Sequence, residues 1–114
     1  MRMVEKPWGY EEIWAETPSY VGKILHINSG HRLSRQYHNI KEETFRVLSG
    51  ILTLEIGQGE EMRTLQLPPG ESFHCPPGTV HRMICDPGIF HVEVLEVSTN
   101  HLDDIVRLED DYKR

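Results

Sequence analysis

The chain has 114 residues, 38% of them hydrophobic and 26% charged, so it is long enough for one folded domain and too short for two. Its 18 acidic and 12 basic residues give a formal net charge of −6, which argues against a general nucleic-acid binder with a basic face. No apolar run approaches the roughly 18 residues of a membrane span, and Met1–Trp8 lacks the apolar stretch of a secretory signal. We therefore expect a cytoplasmic protein with no nucleic-acid or membrane partner.

Short segments rich in Val, Ile, Leu, Phe and Thr alternate with glycine and proline, which predicts an all-β sandwich or barrel. The predicted strands are Val21–Ile27, Leu33–His38, Glu43–Ser49, Ile51–Ile56, Met62–Leu67, Glu71–Cys75, His81–Cys85 and His91–Val97. Asn100–Val106 fits either a short helix capped by Asn100 or an extended tail. Cys75 and Cys85 lie outside any CxxC motif, and two reduced thiols are favoured over a disulfide.

Four polar residues on the predicted strands can converge on one point. Gln36 and His38 are two positions apart and share a strand face, Glu43 begins the next strand after a turn, and His81 lies on a later strand. One amide oxygen, two imidazoles and one carboxylate suit a borderline divalent ion such as Zn, Mn, Fe, Co or Ni. The alternative is a quartet without a metal, in which the surrounding glycines and prolines serve only turns.

The quartet lies within two spaced motifs. The first motif contains Gly30, Gln36, His38, Glu43 and Gly50, and the second contains Gly70, Pro76, Gly78, His81 and Cys85. Their spacing resembles that of the cupin superfamily, with glutamine in place of the usual first histidine and Cys85 in place of a frequent asparagine. The resemblance implies one cupin domain over residues 1–114, a conical β-barrel of jelly-roll topology. It also implies one divalent ion per subunit, zinc first, held by Gln36, His38, Glu43 and His81.

A narrower set of segments covers nearly the whole chain. The segments are Lys6–Gly9, Ser29–Ser34, Gln36–His38, Val47–Gly50, Pro76–Arg82 and, most specific of all, Asp104–Tyr112. They resemble the C-terminal half of type II mannose-6-phosphate isomerases, which implies a metal-dependent sugar-phosphate aldose–ketose isomerase. Many such relatives carry a fused sugar-nucleotide pyrophosphorylase, but the glycine-rich nucleotide loop of that domain is not in this sequence.

The chain departs from the pattern of this narrower family in two places. The family often reads Glu-His-Trp where this chain has Glu43-Thr44-Phe45, and Arg35 replaces a usual hydrophobic residue. Strand parity turns Thr44 away from the face of Glu43, and Arg35 away from the metal. These differences therefore bear on the sugar more than on the fold or the metal.

Aldose–ketose isomerisation moves a proton between C1 and C2, so it needs a general base with a suitable pKa. The candidates are Lys23, Glu96 and His26, and the sequence does not choose among them. Lys23 has the strand parity of the apolar residues around it, which favours an inward position, although a solvated lysine at a strand start fits equally well. Glu96 and Glu93 have opposite parities, so only one of them can face the barrel interior.

A phosphorylated substrate also needs cations for its dianion, and forked guanidinium groups suit it best. Arg32 and Arg107 are the candidates, with Arg107 also counted among the catalytic residues. The alternative for both is surface ion pairing with the acidic C-terminal run. The expected small-molecule partner is a sugar phosphate, with mannose 6-phosphate first.

Two other function classes stay open at this point. His38, Glu43 and His81 alone form a two-histidine, one-carboxylate set that could hold Fe(II) for dioxygen chemistry, and the chain could also be a non-catalytic sugar- or metal-binding cupin. Gln36 and the C-terminal run favour the isomerase. A chain of this size buries only about two-thirds of its unfolded surface, and cupins commonly pair by sheet packing, so we also expect a homodimer.

Overall fold

The computed structural model describes residues 2–58 and 60–112, and every regular element in these ranges is a strand. The strands are β1 (Arg2–Lys6), β2 (Gly9–Glu16), β3 (Tyr20–Asn28), β4 (Arg35–Tyr37), β5 (Glu43–Ser49), β6 (Leu52–Gln58), β7 (Glu61–Leu67), β8 (Ser72–Cys75), β9 (Val80–Ile84), β10 (His91–Thr99) and β11 (Val106–Glu109). The predicted all-β class is confirmed. A search of the described residues finds no helix long and apolar enough to cross a membrane.

The strands form two antiparallel sheets whose neighbours are often distant in sequence. One sheet has the order β1-β2-β3-β10-β5-β8 and the other β11-β4-β9-β6-β7. Because β10 lies between β3 and β5, and β9 between β4 and β6, each sheet joins early and late parts of the chain. This crossing-over is the jelly-roll arrangement that the sequence motifs implied.

The core lies between the two sheets and follows the alternation of each strand. Leu25 of β3, Phe45 of β5, Leu54 of β6 and Val94 of β10 are at most 2% exposed, and each such side chain contributes about 1.5–3 kcal/mol by burial. Trp8 joins this cluster. Its ring therefore packs into the core.

The two N-terminal strands were not predicted from the sequence. Strand β2 is hard to recognise because a charged residue, Glu11, occupies one of its inward positions. Glu11 is only 7% exposed there. The Glu11 carboxylate lies 3.3 Å from the ammonium of Lys23 on β3, so a buried ion pair replaces an apolar residue. Strand β1 lies at the sheet edge, where a charged strand does not show the alternation of a buried one.

The C-terminal run is part of the fold. Residues 100–105 form turns rather than a helix, and the chain then extends as β11 beside β4. Arg82 of β9 is 1% exposed. Its Nε donates a hydrogen bond to the carbonyl of Leu33 at 2.8 Å, and its terminal nitrogens lie 3.3 Å from Glu109 and 3.4 Å from Asp111. The buried guanidinium therefore ties the acidic run to the barrel.

The outer face of the six-stranded sheet carries an apolar groove, here called the outer groove, of about 440 Å³. Its lining includes Trp14, Tyr20 and Val97, which are 48%, 55% and 47% exposed. The indole of Trp14 lies against Gly22, where a Cβ atom would come within 2.6 Å of the ring. Glycine at this position lets the indole lie flat on β3.

Candidate metal centre

The four predicted ligands come together between the two sheets. Glu43 begins β5, Gln36 of β4 is the register partner of His81 on β9, and His38 follows β4. The Oε1 atom of Glu43 lies 3.0 Å from Nε2 of His81 and 3.4 Å from Nε2 of His38. These three side chains are 5% exposed or less. Three ligand-type side chains thus face one another in a buried position.

Both imidazoles are oriented by contacts on their far nitrogen. His38 Nδ1 lies 2.6 Å from the carbonyl oxygen of Asp104, and His81 Nδ1 lies 3.0 Å from that of Thr79. A carbonyl can only accept, so each Nδ1 carries the hydrogen. Each Nε2 then faces Glu43 and is the nitrogen that an ion would meet, as in histidines that ligate metals.

The donor set fits a divalent ion. His38 Nε2 is buried and, within the described ranges, has no hydrogen-bond partner. Ligand atoms about 2.0–2.1 Å from a tetrahedral ion lie about 3.4 Å from one another, close to the separations around Glu43 Oε1. Gln36 places its amide 3.5 Å from His81 Nε2 while Ser34 donates to its oxygen. Turning the amide over would present the oxygen to an ion and leave Ser34 as acceptor.

The charges of the centre follow from these contacts. Burial opposes the charge on Glu43, but its contacts with the imidazoles of His38 and His81 and the charge of Lys41 outweigh burial and hold the pKa of Glu43 well below its usual value. Burial likewise opposes a charge on His81, yet its contacts with Cys75 and Glu43 raise its pKa to about 10. Without a cation the centre thus holds a proton, which a divalent ion would displace.

Lys41 is a site residue that the sequence analysis missed. Its ammonium lies 3.1 Å from Oε2 of Glu43 and 3.2 Å from Oε2 of Glu96. The residue is only 6% exposed. Burial opposes its charge, but the two carboxylates raise its pKa. The sequence could have indicated Lys41, because it lies two positions before Glu43 and an extended chain puts both side chains on the same side.

Glu96 is the inward-facing carboxylate of β10. It is 5% exposed, and burial together with the negative charge of Glu43 raises its pKa, while Lys41 and Lys23 act in the opposite direction. Glu93 lies on the other face of the same strand, where it meets Ser49 and His91. The parity argument that only one of the two glutamates faces inward is therefore correct.

A cavity of about 100 Å³ adjoins the centre. Its lining includes Gln36 and His38 together with three of the predicted catalytic residues, Lys23, Glu96 and Arg107. Glu43 and His81 lie outside its described lining. Of the two positions left open for Lys23, the structure shows the inward one, with its ammonium 3.3 Å from Glu11.

The structure does not bring two other candidates to this cavity. Arg32 makes a double hydrogen bond to the carboxylate of Asp111, at 2.6 and 2.9 Å, and is outside the described lining. His26 is also outside it and stacks on Tyr10 instead. Thr44 lines the outer groove, and Arg35 pairs with Glu55 at 2.9 Å. Both departures from the family pattern therefore face away from the centre, as predicted.

Asp104 fixes the loop that carries Lys41. Its carboxylate accepts hydrogen bonds from the backbone N–H groups of Asn39, Ile40 and Lys41, at 3.0, 2.6 and 2.9 Å. These bonds lower the pKa of Asp104 to about 2. Because its carbonyl oxygen also holds His38, one residue of the C-terminal run positions both the imidazole and the lysine loop.

The comparisons with known proteins agree with this fold. A family model described as mannose-6-phosphate isomerase C-terminal matches residues 1–110. The xanthan biosynthesis protein XanB of Xanthomonas campestris is 35% identical over 99% of this chain and 24% of its own length. The mannose-1-phosphate guanylyltransferase RfbM of Salmonella typhimurium is 29% identical over 93% of this chain and 22% of its own. The chain thus spans about a quarter of these relatives.

Two solved structures show the same fold at low sequence identity. The capsular polysaccharide assembling protein CapF from Staphylococcus aureus superposes with a TM-score of 0.80 at 19% identity, covering 95% of this chain and 32% of its own. A sugar phosphate isomerase of the cupin superfamily from Silicibacter pomeroyi gives a TM-score of 0.62 at 22% identity, covering 72% and 51%. At these identities the likeness concerns the fold alone.

Proposed function

The chain belongs to the mannose-6-phosphate isomerase C-terminal family, and from this we propose that it is a metal-dependent sugar-phosphate aldose–ketose isomerase. The observation that carries the proposal is the buried His38, Glu43 and His81 cluster with Gln36 beside it, next to a cavity whose lining includes Lys23, Glu96 and Arg107. Mannose 6-phosphate is the first substrate to test.

The four-residue set would hold one divalent ion, with zinc first and Mn, Co, Ni or Fe as alternatives. When bound, such an ion supplies Lewis-acid polarisation of the substrate's carbonyl oxygen. Lys41 keeps Glu43 ionised and in place through its contact with Oε2, which leaves Oε1 directed at the two imidazoles.

Glu96 is the best-placed proton carrier. Its carboxyl group lies on the cavity wall next to Lys41, whereas the Lys23 ammonium is paired with Glu11 at 3.3 Å. We propose that Glu96 removes the C2 proton of the aldose and returns it to C1. The hydroxyl proton on C2 moves to the C1 oxygen, and Lys23 and Lys41 offer N–H groups for that exchange.

The cavity is smaller than the roughly 300 Å³ of a drug-sized pocket, so it accommodates the reacting end of a sugar with the phosphate at the mouth. Arg107 and Lys6 line the cavity and provide cations there. Arg32 stays a candidate for the phosphate only if its double hydrogen bond with Asp111 opens.

Replacing Arg107 with alanine should lower kcat/KM for mannose 6-phosphate by about 10- to 100-fold, since a charge-assisted contact contributes about 1.5–3 kcal/mol. Bound metal should not change, because Arg107 is not a ligand. Arg63→Ala is the matched control, since Arg63 is exposed on β7. Full turnover by Arg107→Ala would remove Arg107 from the substrate site.

The function itself is tested by proton NMR of the metal-loaded protein with mannose 6-phosphate in deuterated water. We expect fructose 6-phosphate to form, with solvent deuterium entering C1 or C2. A shielded proton can return without exchange, so only missing deuterium together with missing product, for every sugar phosphate tried, would count against the isomerase. Oxygen consumption by the Fe(II)-loaded protein would favour the dioxygenase, and binding without turnover a non-catalytic cupin.

We further propose that the chain acts in the cytoplasm as a homodimer joined through the outer groove. The cytoplasm suits its two buried cysteines, which are both free thiols. A second copy suits the groove because Trp14, Tyr20 and Val97 expose apolar surface side by side.

Val97→Glu should shift the protein from dimer to monomer in light scattering at micromolar concentration, because it places a charge in the centre of the outer groove. Met62→Glu is the control, since Met62 is exposed on β7 of the other sheet. A wild-type monomer at every micromolar concentration, or an unchanged Val97→Glu dimer, would contradict this interface.

A further inference from the structure

A second cluster of ligand-type side chains lies on the outer face of the six-stranded sheet. It consists of His26 on β3 and of His91 and Glu93 on β10. His26 and Glu93 are register partners, and His91 is two positions before Glu93 on the same strand face. Leu25 and Ile27 flank His26 and point into the core, so His26 points away from the cavity.

The distances within this outer cluster are those of a coordination site. His26 Nδ1 lies 3.9 Å from Glu93 Oε2, and His91 Nε2 lies 3.2 Å from Glu93 Oε1. One ligand atom from each residue lies within 4.8 Å of the others. Donors on a tetrahedral zinc ion lie about 3.4 Å apart, so closing around an ion requires only small side-chain shifts.

The neighbours of the outer cluster orient its ligands. Glu12 Oε1 lies 2.7 Å from His26 Nε2, and because the carboxylate accepts this hydrogen, the lone pair is left on Nδ1, facing Glu93. Tyr10 stacks on the same imidazole with ring centroids 4.1 Å apart and planes 9° apart. Ser49 donates to Glu93 Oε1 at 2.9 Å. A carboxylate–histidine pair with a fixed ring is the usual second layer of a metal site.

We propose that His26, His91 and Glu93 form a second site for a borderline divalent cation such as Zn²⁺, separate from the centre at Glu43. The mixture of imidazole and carboxylate suits such an ion, and three protein ligands leave a position for water. His91 and Glu93 are about one-third exposed as side chains, so the ion exchanges with solvent. A bound ion links β3 to β10, which are adjacent in the sheet.

The test is a Zn²⁺ titration of the full chain by calorimetry, followed to more than two equivalents. Wild-type protein should show a tight first event and a second event of micromolar Kd. His91→Ala and Glu93→Gln should each weaken the second event by at least about 10-fold and leave the first unchanged. Glu12→Gln should weaken it less, because Glu12 acts through His26.

His74→Ala is the matched control, since His74 is an exposed histidine paired with a different carboxylate, Glu42. It should leave both events unchanged, and circular dichroism should show all variants folded. A single event in the wild type, or a second event that survives both His91→Ala and Glu93→Gln, would overturn the proposal. A loss of the first event alone would concern the centre at Glu43 instead.

Discussion

Replacing His81 with alanine should abolish tight binding of the divalent ion that we propose for the centre. The substitution removes one of the two nitrogen donors of the site. His81 is only 1% exposed, so water cannot easily replace the lost imidazole. Residues that only support metal ligands already contribute about 10- to 100-fold in affinity, so we expect a loss above about 100-fold. Elemental analysis measures this loss of bound metal. The protein is first dialysed against a weak chelator, which removes any ion from the exposed outer cluster.

His38→Ala should behave in the same way, and His74→Ala should retain the ion. His38 provides the independent check because its Nε2 is the buried nitrogen without a hydrogen-bond partner in the described part of the chain. Undiminished metal in a folded His81→Ala protein would show that the ligand set is wrong. Loss of metal together with loss of the fold would shift the decision to His38→Ala.

Glu96→Gln should lower kcat for isomerisation by about 100- to 10,000-fold, the usual contribution of a general base. Glutamine keeps the shape of the side chain but cannot take up a proton. Because it carries no charge, its contact with Lys41 is weaker, but there is no steric change. Metal content should stay at the wild-type level because Glu96 is not a ligand. Deuterium entry at C1 and C2 should fall in parallel with kcat.

Glu55→Gln is the control for Glu96→Gln, because Glu55 is also a strand glutamate paired with a cation, Arg35, but lies outside the described cavity lining. It should retain full turnover. A metal-loaded Glu96→Gln protein with wild-type kcat would transfer the role of base to another residue of the cavity. Lys41 and Lys23 would then be the next candidates.

The barrel could be predicted from the sequence because its middle strands alternate and its turns carry glycine and proline. Strand β2 could not, because one of its inward positions is filled by Glu11, whose burial depends on Lys23, 12 positions away. Local patterns do not show such pairings across strands. The same limit explains the missed Lys41, since two partners from β5 and β10 hold its charge in the interior.

The convergence of the four predicted ligands followed from motif spacing and strand parity. Parity also allowed an inward Lys23 and showed that only one of Glu93 and Glu96 could face inward, but it did not choose Glu96. The pairing of Arg32 with the acidic C-terminal run was one of two alternatives that the sequence left open, because its partner Asp111 lies 79 positions later in the chain. Which of several carboxylates an exposed arginine meets is decided by the tertiary path of the chain. Sequence spacing alone therefore brought the four predicted ligands together but did not choose the partner of Arg32.

The bonds from Asp104 to residues 38–41 have a consequence for biogenesis. They span 63 to 66 positions of sequence, and contacts of such long range form slowly, only after the intervening loop is closed. During synthesis Asp104 is added after all four predicted ligands, the last of which is His81, so these bonds form only after the ligands themselves have been made. We therefore expect cation capture to wait for Asp104, so that a nascent chain stalled before this residue would not yet compete for cellular zinc.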